Sequence, residues 1–185
     1  MQGYIACSNV YNSSFDKMDK TYIDKKEEED FKKLTKLNED ILHLNSLGKT
    51  PQYHHTDASG LTKDGRVINI ELKQRTFDMD KYNTLYIDDY KACNMLMDFV
   101  ALNLIPIYVN FMADDTIIVF NLLRLHKRPK ITKNRTYSKG KQAYEYSDRQ
   151  ELYIEDEYIY KKDKNNRYRL IKKSGESKDI LKSYK

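Results

Sequence analysis

The chain has 185 residues, a hydrophobic share of 39 %, a charged share of 33 % and a formal net charge of +5. This length suits one well-cored domain, and the composition excludes a chain that is disordered throughout. No apolar run approaches the ~20 residues needed to cross a bilayer, the N-terminus lacks the pattern of a signal peptide, and the two cysteines have no CxxC spacing. We therefore expect an intracellular protein with free thiols and no membrane partner.

The first predicted elements are an N-terminal arm, residues 1–23, and a helix that begins near Asp24. Its first turns are rich in acidic residues, which favour a helix N-terminus, and Gly48 is expected to end it. Apolar residues recur at the three- and four-residue spacing of one helix face: Phe31, Leu34, Leu37, Ile41 and Leu44.

Three strands and a second helix are predicted next. The strands are expected at roughly 53–62, 66–74 and 84–88. The helix is expected to run to about Asn103, with Asp88 or Asp89 as its cap. The residues expected to face inward from this helix are Ala92, Leu96, Phe99 and Val100.

Two further segments, "IPIYVNFM" and "TIIVFNL", are apolar enough for central strands, and "YIYKK" and "RYRLIKK" around "DKNN" suggest another hairpin. The order of elements predicts an α/β (α+β) fold in which helices flank a mixed sheet, with the order α-β-β-β-α-β-β. We expect residues 1–126 to form the core. Residues 127–185 are expected to form a basic C-terminal extension packed on the same domain.

Positive charge is concentrated in the C-terminal third. Residues 127–149 contain eight Lys/Arg and two acidic residues, and residues 161–185 contain ten and three. This distribution is typical of a protein that binds a phosphate backbone, although a solvated Lys-rich surface would look the same. Tyr144 and Tyr146 lie among the basic residues and could stack on bases. The candidate DNA contacts in this region are Lys127, Arg128, Lys130, Lys133, Arg135 and Tyr137.

The second hairpin strand carries a carboxylate and an ammonium, Glu71 and Lys73, on the face opposite its apolar residues. A three-residue loop at 63–65, closed by a glycine in the left-handed conformation, would place Asp57 directly opposite Glu71. A two-residue loop would send Asp57 to the other face. Two carboxylates this close repel each other unless a divalent cation such as Mg²⁺ or Mn²⁺ lies between them. A cross-strand salt bridge to Lys73 is the alternative.

The pattern formed by Asp57, Glu71 and Lys73, D-x13-E-x-K, resembles the active-site signature of the PD-(D/E)XK nuclease superfamily. Over roughly residues 27–122 the predicted order of elements is also similar to that family's core, which is restriction-endonuclease-like or Holliday-junction-resolvase-like. The string [DE]-x-K alone occurs five times, but only this copy lies in an apolar strand after a hairpin turn. Thr56 stands where the family often has proline.

The resemblance implies a metal-dependent nuclease that hydrolyses DNA phosphodiester bonds. Asp57, Glu71 and the backbone carbonyl of Leu72 would hold Mg²⁺ or Mn²⁺, and Lys73 would position the attacking water. DNA is the implied partner, and a homodimer is compatible with duplex cleavage, which usually needs two sites.

The resemblance also implies roles for residues around this motif. In many family members a first-helix glutamate completes the metal shell, and Glu27 is the candidate here. Lys91 takes the place of the Gln or Lys that often approaches the site from the second helix, and it is expected to contact DNA phosphates. Gln74 and Arg75 are further candidate DNA contacts. His55 precedes Asp57 and is either a ligand, a proton carrier or a surface histidine.

Two other function classes stay open. One is a non-catalytic nucleic-acid-binding protein on a degenerate copy of the same fold, and the other is an interaction protein whose basic region binds an acidic partner. Metal-dependent cleavage separates the nuclease from the first, and salt-sensitive DNA binding separates both from the second.

Overall fold

The computed structural model describes residues 25, 28–51, 54–125, 127–138, 143–154, 158–172 and 181. Helix α1 spans 28–37 and continues into a π-helical turn, Asn38–Leu42; helix α2 spans Asp89–Leu102. The strands in the described ranges are β1 (Ser46–Lys49), β2 (Ala58–Leu61), β3 (Val67–Gln74), β4 (Thr84–Asp88), β5 (Ile105–Phe111), β6 (Thr116–Asn121), β7 (Lys130–Ser138), β8 (Ala143–Tyr153), β9 (Tyr158–Lys162) and β10 (Tyr168–Lys172).

The strands form two sheets, a large one in the order β1-β2-β3-β5-β6-β9-β10 and a small one in the order β4-β8-β7. Strands β3 and β5 are parallel, and every other neighbouring pair is antiparallel. A parallel pair needs a crossover connection, and α2 lies in that crossover. The fold is therefore a mixed α/β arrangement with a mostly antiparallel sheet.

The large sheet has a hydrophobic core on each face. On one face, buried residues of α1 pack against β3 and β5: Leu34, Leu37, Ile68, Ile70, Ile107 and Val109. On the other face, α2 and the small sheet pack against β5 and β6: Ala92, Met95, Leu85, Ile87, Tyr108, Ile118 and Phe120. Alternation along β3 therefore turns its odd-numbered residues toward the α2 side of the sheet.

The predicted hairpin has the expected turn and register. Thr62 N–H donates to the carbonyl of Arg66 at 2.8 Å, and Gly65 has φ +84, which is the left-handed region. The ladder ends at the pair Ala58–Ile70, and Asp57 lies just before it, with its N–H donating to the Ile70 carbonyl at 3.0 Å.

The strands of the meander before α2 differ from the prediction. Gly48 does not end a helix, because it lies in β1; the helical segment ends at Leu42, and His43 follows in the left-handed conformation with φ 49. Strand β4, predicted as the third strand of the meander, belongs to the small sheet. The three consecutive antiparallel strands are therefore β1, β2 and β3, and the predicted strand order is wrong on this point.

Helix α2 has the predicted bounds, with Asn103 at its C-terminus, but two of its details differ. Ala92 is buried and Leu96 packs against the core, as predicted, whereas Val100 is 77 % exposed and Met95 is fully buried in its place. Asp88 provides no capping hydrogen bond, because its carboxylate accepts from Arg149 Nε at 3.1 Å. No helix in the described ranges is both long and apolar enough to span a membrane.

The basic C-terminal region supplies strands to both sheets. The predicted hairpin is present as β9 and β10, and β9 extends the large sheet by pairing with β6. Strands β7 and β8, predicted only as a basic segment, form a long antiparallel pair. Strand β4 covers only the 149–153 end of β8, so the rest of the pair extends past it as a two-stranded ribbon.

Candidate metal centre

The candidate site lies where β3 extends beyond its shorter neighbour β2. The ladder between them ends at the Ala58–Ile70 pair, while β3 continues to Gln74. On the α2 side, this part of β3 presents Glu71, which is 4 % exposed, and then Lys73, which is exposed. The edge that β2 leaves open is occupied by Asp57.

Asp57 is held in place by both its backbone and its side chain. Its N–H donates to the Ile70 carbonyl at 3.0 Å, and its own carbonyl accepts from Thr50 N–H at 3.1 Å. Its Oδ2 accepts from Leu72 N–H at 2.7 Å. The N–H and C=O of one strand residue point to the same edge, so the Leu72 carbonyl projects toward the edge where Asp57 lies.

Glu71 is a buried carboxyl with one unsatisfied oxygen. Its Oε2 is buried and has no hydrogen-bond partner within the described part of the chain. Burial raises the pKa of Glu71 to about 7, and the negative charge of Asp57 acts in the same direction. The two carboxyl groups are therefore close enough to interact electrostatically.

Lys91, on the first turn of α2, forms an ion pair with Oε1 of Glu71. Desolvation acts to lower the pKa of Lys91, but the Glu71 carboxylate, with Asp57 and Asp88, outweighs it, and the net shift is upward. The structure thus brings Lys91 to the predicted site as a partner of one Glu71 oxygen. Asp88 contributes negative charge near both Lys91 and Lys73, a contribution the sequence prediction missed because Asp88 was assigned to helix capping.

Lys73 follows Glu71 by two residues on the same side of β3, near the end of the strand, and is exposed. Partial desolvation lowers the pKa of Lys73, and the neighbouring positive charges of Arg75 and Lys91 act in the same direction. Within the described residues, the salt bridge of Glu71 is made by Lys91 and not by Lys73. The alternative of a cross-strand salt bridge to Lys73 is therefore not what the structure contains.

The donor set fits a hard divalent cation. Asp57, Glu71 and the Leu72 carbonyl supply oxygen atoms, which Mg²⁺ and Mn²⁺ prefer, and Oε2 of Glu71 is an acceptor without a donor. Among the described residues there is no group of three or more His, Cys, Asp or Glu side chains that could hold a metal. An ion here would therefore keep several water ligands, as Mg²⁺ usually does. Glu27, the predicted extra ligand, lies outside the described residues.

Arg75, one of the two predicted DNA contacts next to the motif, is arranged differently from expectation. Arg75 is occupied inside the protein, because its guanidinium donates to Asn110 Oδ1 at 2.8 Å and to the Tyr86 carbonyl and Tyr108 hydroxyl at 2.7 Å each. The expectation that Arg75 contacts DNA is therefore not supported. Gln74 is half-buried at the end of β3, on the face opposite Lys73.

The candidate DNA contacts of the basic region lie on or beside β7. Lys127, Arg128, Lys130, Lys133 and Arg135 are exposed, and Lys127 Nζ lies 5.0 Å from the centroid of the Tyr153 ring. The register pairs basic residues of β7 with acidic residues of β8, Lys130 with Glu151 and Lys133 with Asp148, which offsets part of the positive charge. Arg135 is opposite Tyr146, which is 70 % exposed. Tyr137 belongs to β7, but its side chain is outside the part of the molecule that the structure describes.

Sequence reasoning also missed a polar group beside the carboxylates, formed by His55, Asn69 and Asp98. Asp98 follows Lys91 by seven residues, which is two helical turns, so both lie on the same face of α2. That spacing was the available signal. A single aspartate on a helix is ordinarily a solvated residue, so this spacing alone did not predict a functional role for Asp98.

No family model matches the chain, and no curated protein matches it. Among solved structures, one that is similar is Hjc of Archaeoglobus fulgidus, described as a Holliday junction resolvase from an archaeal hyperthermophile. The two chains are 13 % identical with a TM-score of 0.43, and the match covers 57 % of this chain and 80 % of that one. At this TM-score the likeness carries no argument about function, so the assignment depends on the residues of the site itself.

Proposed function

We propose that the protein is a metal-dependent nuclease that hydrolyses phosphodiester bonds in DNA. The observation that carries the proposal is the unsatisfied, buried Oε2 of Glu71 beside the Asp57 carboxyl. A buried polar atom without a partner costs roughly 1–3 kcal/mol, more when it is charged, so a fold without a ligand here gains nothing from this arrangement.

Mg²⁺ or Mn²⁺ would be held by Asp57, Glu71 and the Leu72 carbonyl, and when bound it would polarise the phosphate and lower the pKa of a water. The Leu72 N–H fixes the Asp57 carboxylate, and Lys91 fixes the other oxygen of Glu71. Both carboxylates are therefore oriented before any ligand arrives. This preorganisation is what a metal site needs from the protein around it.

Lys73 is the candidate for contact with the reacting phosphate. It shares the α2 side of β3 with Glu71 and is exposed, whereas Lys91 is taken up by Glu71. An ammonium in this position would orient the attacking water or neutralise charge that develops on the phosphate. Its lowered pKa, due first to partial desolvation, makes it easier for this lysine to give up a proton.

The exposed basic residues of β7 would supply the electrostatic attraction to the DNA backbone. Lys130, Lys133 and Arg135 lie along one strand of the ribbon, and Tyr146 is opposite Arg135. Contacts of this kind are not specific for sequence and weaken with salt. Two such sites in a homodimer would allow both strands of a duplex to be cut.

One observation favours a second candidate, a non-catalytic DNA-binding module. The Lys91 ammonium neutralises Glu71 without any metal, as a lysine can in a degenerate site. In that case the protein would bind DNA with the same salt dependence and would cut none of it.

The test is cleavage of duplex, branched and single-stranded DNA in Mn²⁺ or EDTA by the wild type, Lys73→Ala and Lys63→Ala. Lys63 is a matched control, since it is an exposed lysine in the turn of the same hairpin. We expect Mn²⁺-dependent cleavage by the wild type and by Lys63→Ala, and loss of most activity in Lys73→Ala. DNA binding without cleavage in any metal would favour the second candidate.

A further inference from the structure

Asp98 connects three separate elements beside the candidate metal centre. Its Oδ2 accepts a hydrogen bond from Asn69 Nδ2 at 2.7 Å and another from His55 Nε2 at 2.6 Å. A carboxylate only accepts hydrogen bonds, so Nε2 of the imidazole is the donor. Asn69 belongs to β3, Asp98 to α2, and His55 to the irregular segment that leads into β2.

These three elements are the ones that carry the groups of the site. Asn69 precedes Glu71 by two residues on the same face of β3, about 7 Å along the strand. Asp98 follows Lys91 by seven residues on the same face of α2, about 10 Å along the helix. Helix α2 is therefore attached to this face of β3 at two points, one through the Glu71–Lys91 ion pair and one through Asp98 and Asn69.

His55 extends the connection to Asp57, two residues further along the chain. The ring of His54 stacks on that of His55 with centroids 4.4 Å apart, and His54 Nδ1 lies 2.9 Å from Oγ1 of the buried Thr56. The segment 54–57 lies outside the strands, so these side-chain contacts act together with the backbone hydrogen bonds of Asp57 to set the path on which Asp57 is presented.

We infer that Asp98 is a positioning residue for the metal centre. Through His55 it holds the segment that presents Asp57, and through Asn69 it holds the strand that presents Glu71. The distance between the two carboxylates depends on both connections. This role rests on the proposed function, because it concerns the same two ligands.

The test measures Mn²⁺ affinity and steady-state kinetics for Asp98→Ala and Asp98→Asn. Affinity is read by calorimetry and by melting temperature against Mn²⁺ concentration. Loss of a group that orients metal ligands typically weakens metal binding by 10- to 100-fold, and we expect a loss of at least ~10-fold in Asp98→Ala. Asp98→Asn keeps an oxygen that can accept both hydrogen bonds and should restore most of the affinity.

Asp163→Ala is the control for loss of a carboxylate that accepts several hydrogen bonds. Asp163 lies in the β9–β10 turn directly after β9, which β5 and β6 separate from β3, and it accepts from the N–H groups of Asn165 at 2.8 Å and Arg167 at 3.1 Å. A purely structural role for Asp98 would lower the melting temperature as in Asp163→Ala and leave Mn²⁺ affinity and kcat unchanged. That result would overturn the inference.

If Asp98→Ala does not fold, His55→Ala tests the same connection, because it removes only the link to the Asp57 segment. Weaker Mn²⁺ binding with an intact fold would support the inference, and wild-type affinity in His55→Ala would refute it. Absence of Mn²⁺ binding in the wild type would refute the proposed function itself. Wild-type binding that is unaffected in the variants would refute only the role of Asp98.

Discussion

The raised pKa of Glu71 predicts a specific dependence of stability on pH. Its ordinary value of 4.5 is raised to about 7 in the fold, mainly by burial. As pH rises from 4.5 to 7, the unfolded chain releases this proton while the folded protein still holds it, so folding becomes less favourable. A difference of about 2.5 pKa units corresponds to roughly 3 kcal/mol, present as a penalty above pH 7 and absent below pH 4.5.

Glu71→Gln removes the titrating group and keeps the shape of the side chain. The free energy of unfolding of wild type minus that of Glu71→Gln should therefore fall by about 3 kcal/mol between pH 4.5 and pH 8. Urea unfolding in EDTA over this range measures this difference, and the subtraction cancels the contributions of titrating groups that do not interact with Glu71. Repeating the series with Mn²⁺ should restore stability to the wild type at high pH, since the cation binds the ionised carboxylate of the folded state only.

If the unfolding free energy of wild type minus that of Glu71→Gln does not change between pH 4.5 and pH 8, this reasoning is refuted. It would mean that Lys91 and solvent together stabilise the ionised Glu71 as well in the fold as water does in the unfolded chain. An equal effect of Mn²⁺ on wild type and Glu71→Gln would separately refute the role of Glu71 as a ligand.

Three other predictions follow from the placement of single side chains. Lys73→Ala should lower the rate of DNA cleavage by roughly 100-fold and change unfolding free energy by no more than ~0.5 kcal/mol, with Lys63→Ala unaffected in both assays. Tyr146→Ala should weaken binding of single-stranded DNA by about 1–3 kcal/mol in anisotropy titrations. The control is Tyr90→Ala, which should leave binding unchanged. Tyr90 lies on α2 and has a similar exposure, 73 % against 70 % for Tyr146. Arg75→Ala should lower the unfolding free energy by about 2–4 kcal/mol in urea titrations, because Asn110 and two other acceptors lose their donor; a change in DNA affinity without a change in stability would contradict the internal role of Arg75.

The sequence was sufficient where the determining interactions are local. The loop 63–65 with its glycine set the register of one hairpin, and that register brings Asp57 to the edge of β3 just past the pair Ala58–Ile70. The apolar stripe of α1 and the two central strands β5 and β6 were likewise readable from periodicity. These features depend on residues a few positions apart, so one chain segment contains all the information.

The prediction failed where partners come from distant parts of the chain. The alternating pattern of β4 suits any half-buried strand, and only contact with β8, more than sixty residues later, assigns it to the small sheet. Arg75 looked like a surface cation because its partners, on β4 and β5, could not be known from its neighbours in sequence. The short segment of β1 has no apolar alternation, so it was read as the end of a helix.

The Lys91–Glu71 pair bears directly on which function the site serves. A structural ion pair would need one carboxylate and one lysine, and the second carboxylate of Asp57 would only weaken it by repulsion. The fold nevertheless directs Asp57 to this edge with two backbone hydrogen bonds and a third from Leu72 N–H to its carboxylate, and it leaves Oε2 of Glu71 without a donor in the described residues. Neither feature improves the ion pair, whereas both improve a cation site, since a second carboxylate and a free oxygen are what a divalent ion requires. The second carboxylate and the unsatisfied Glu71 oxygen are therefore the strongest physical reasons to expect a metal here.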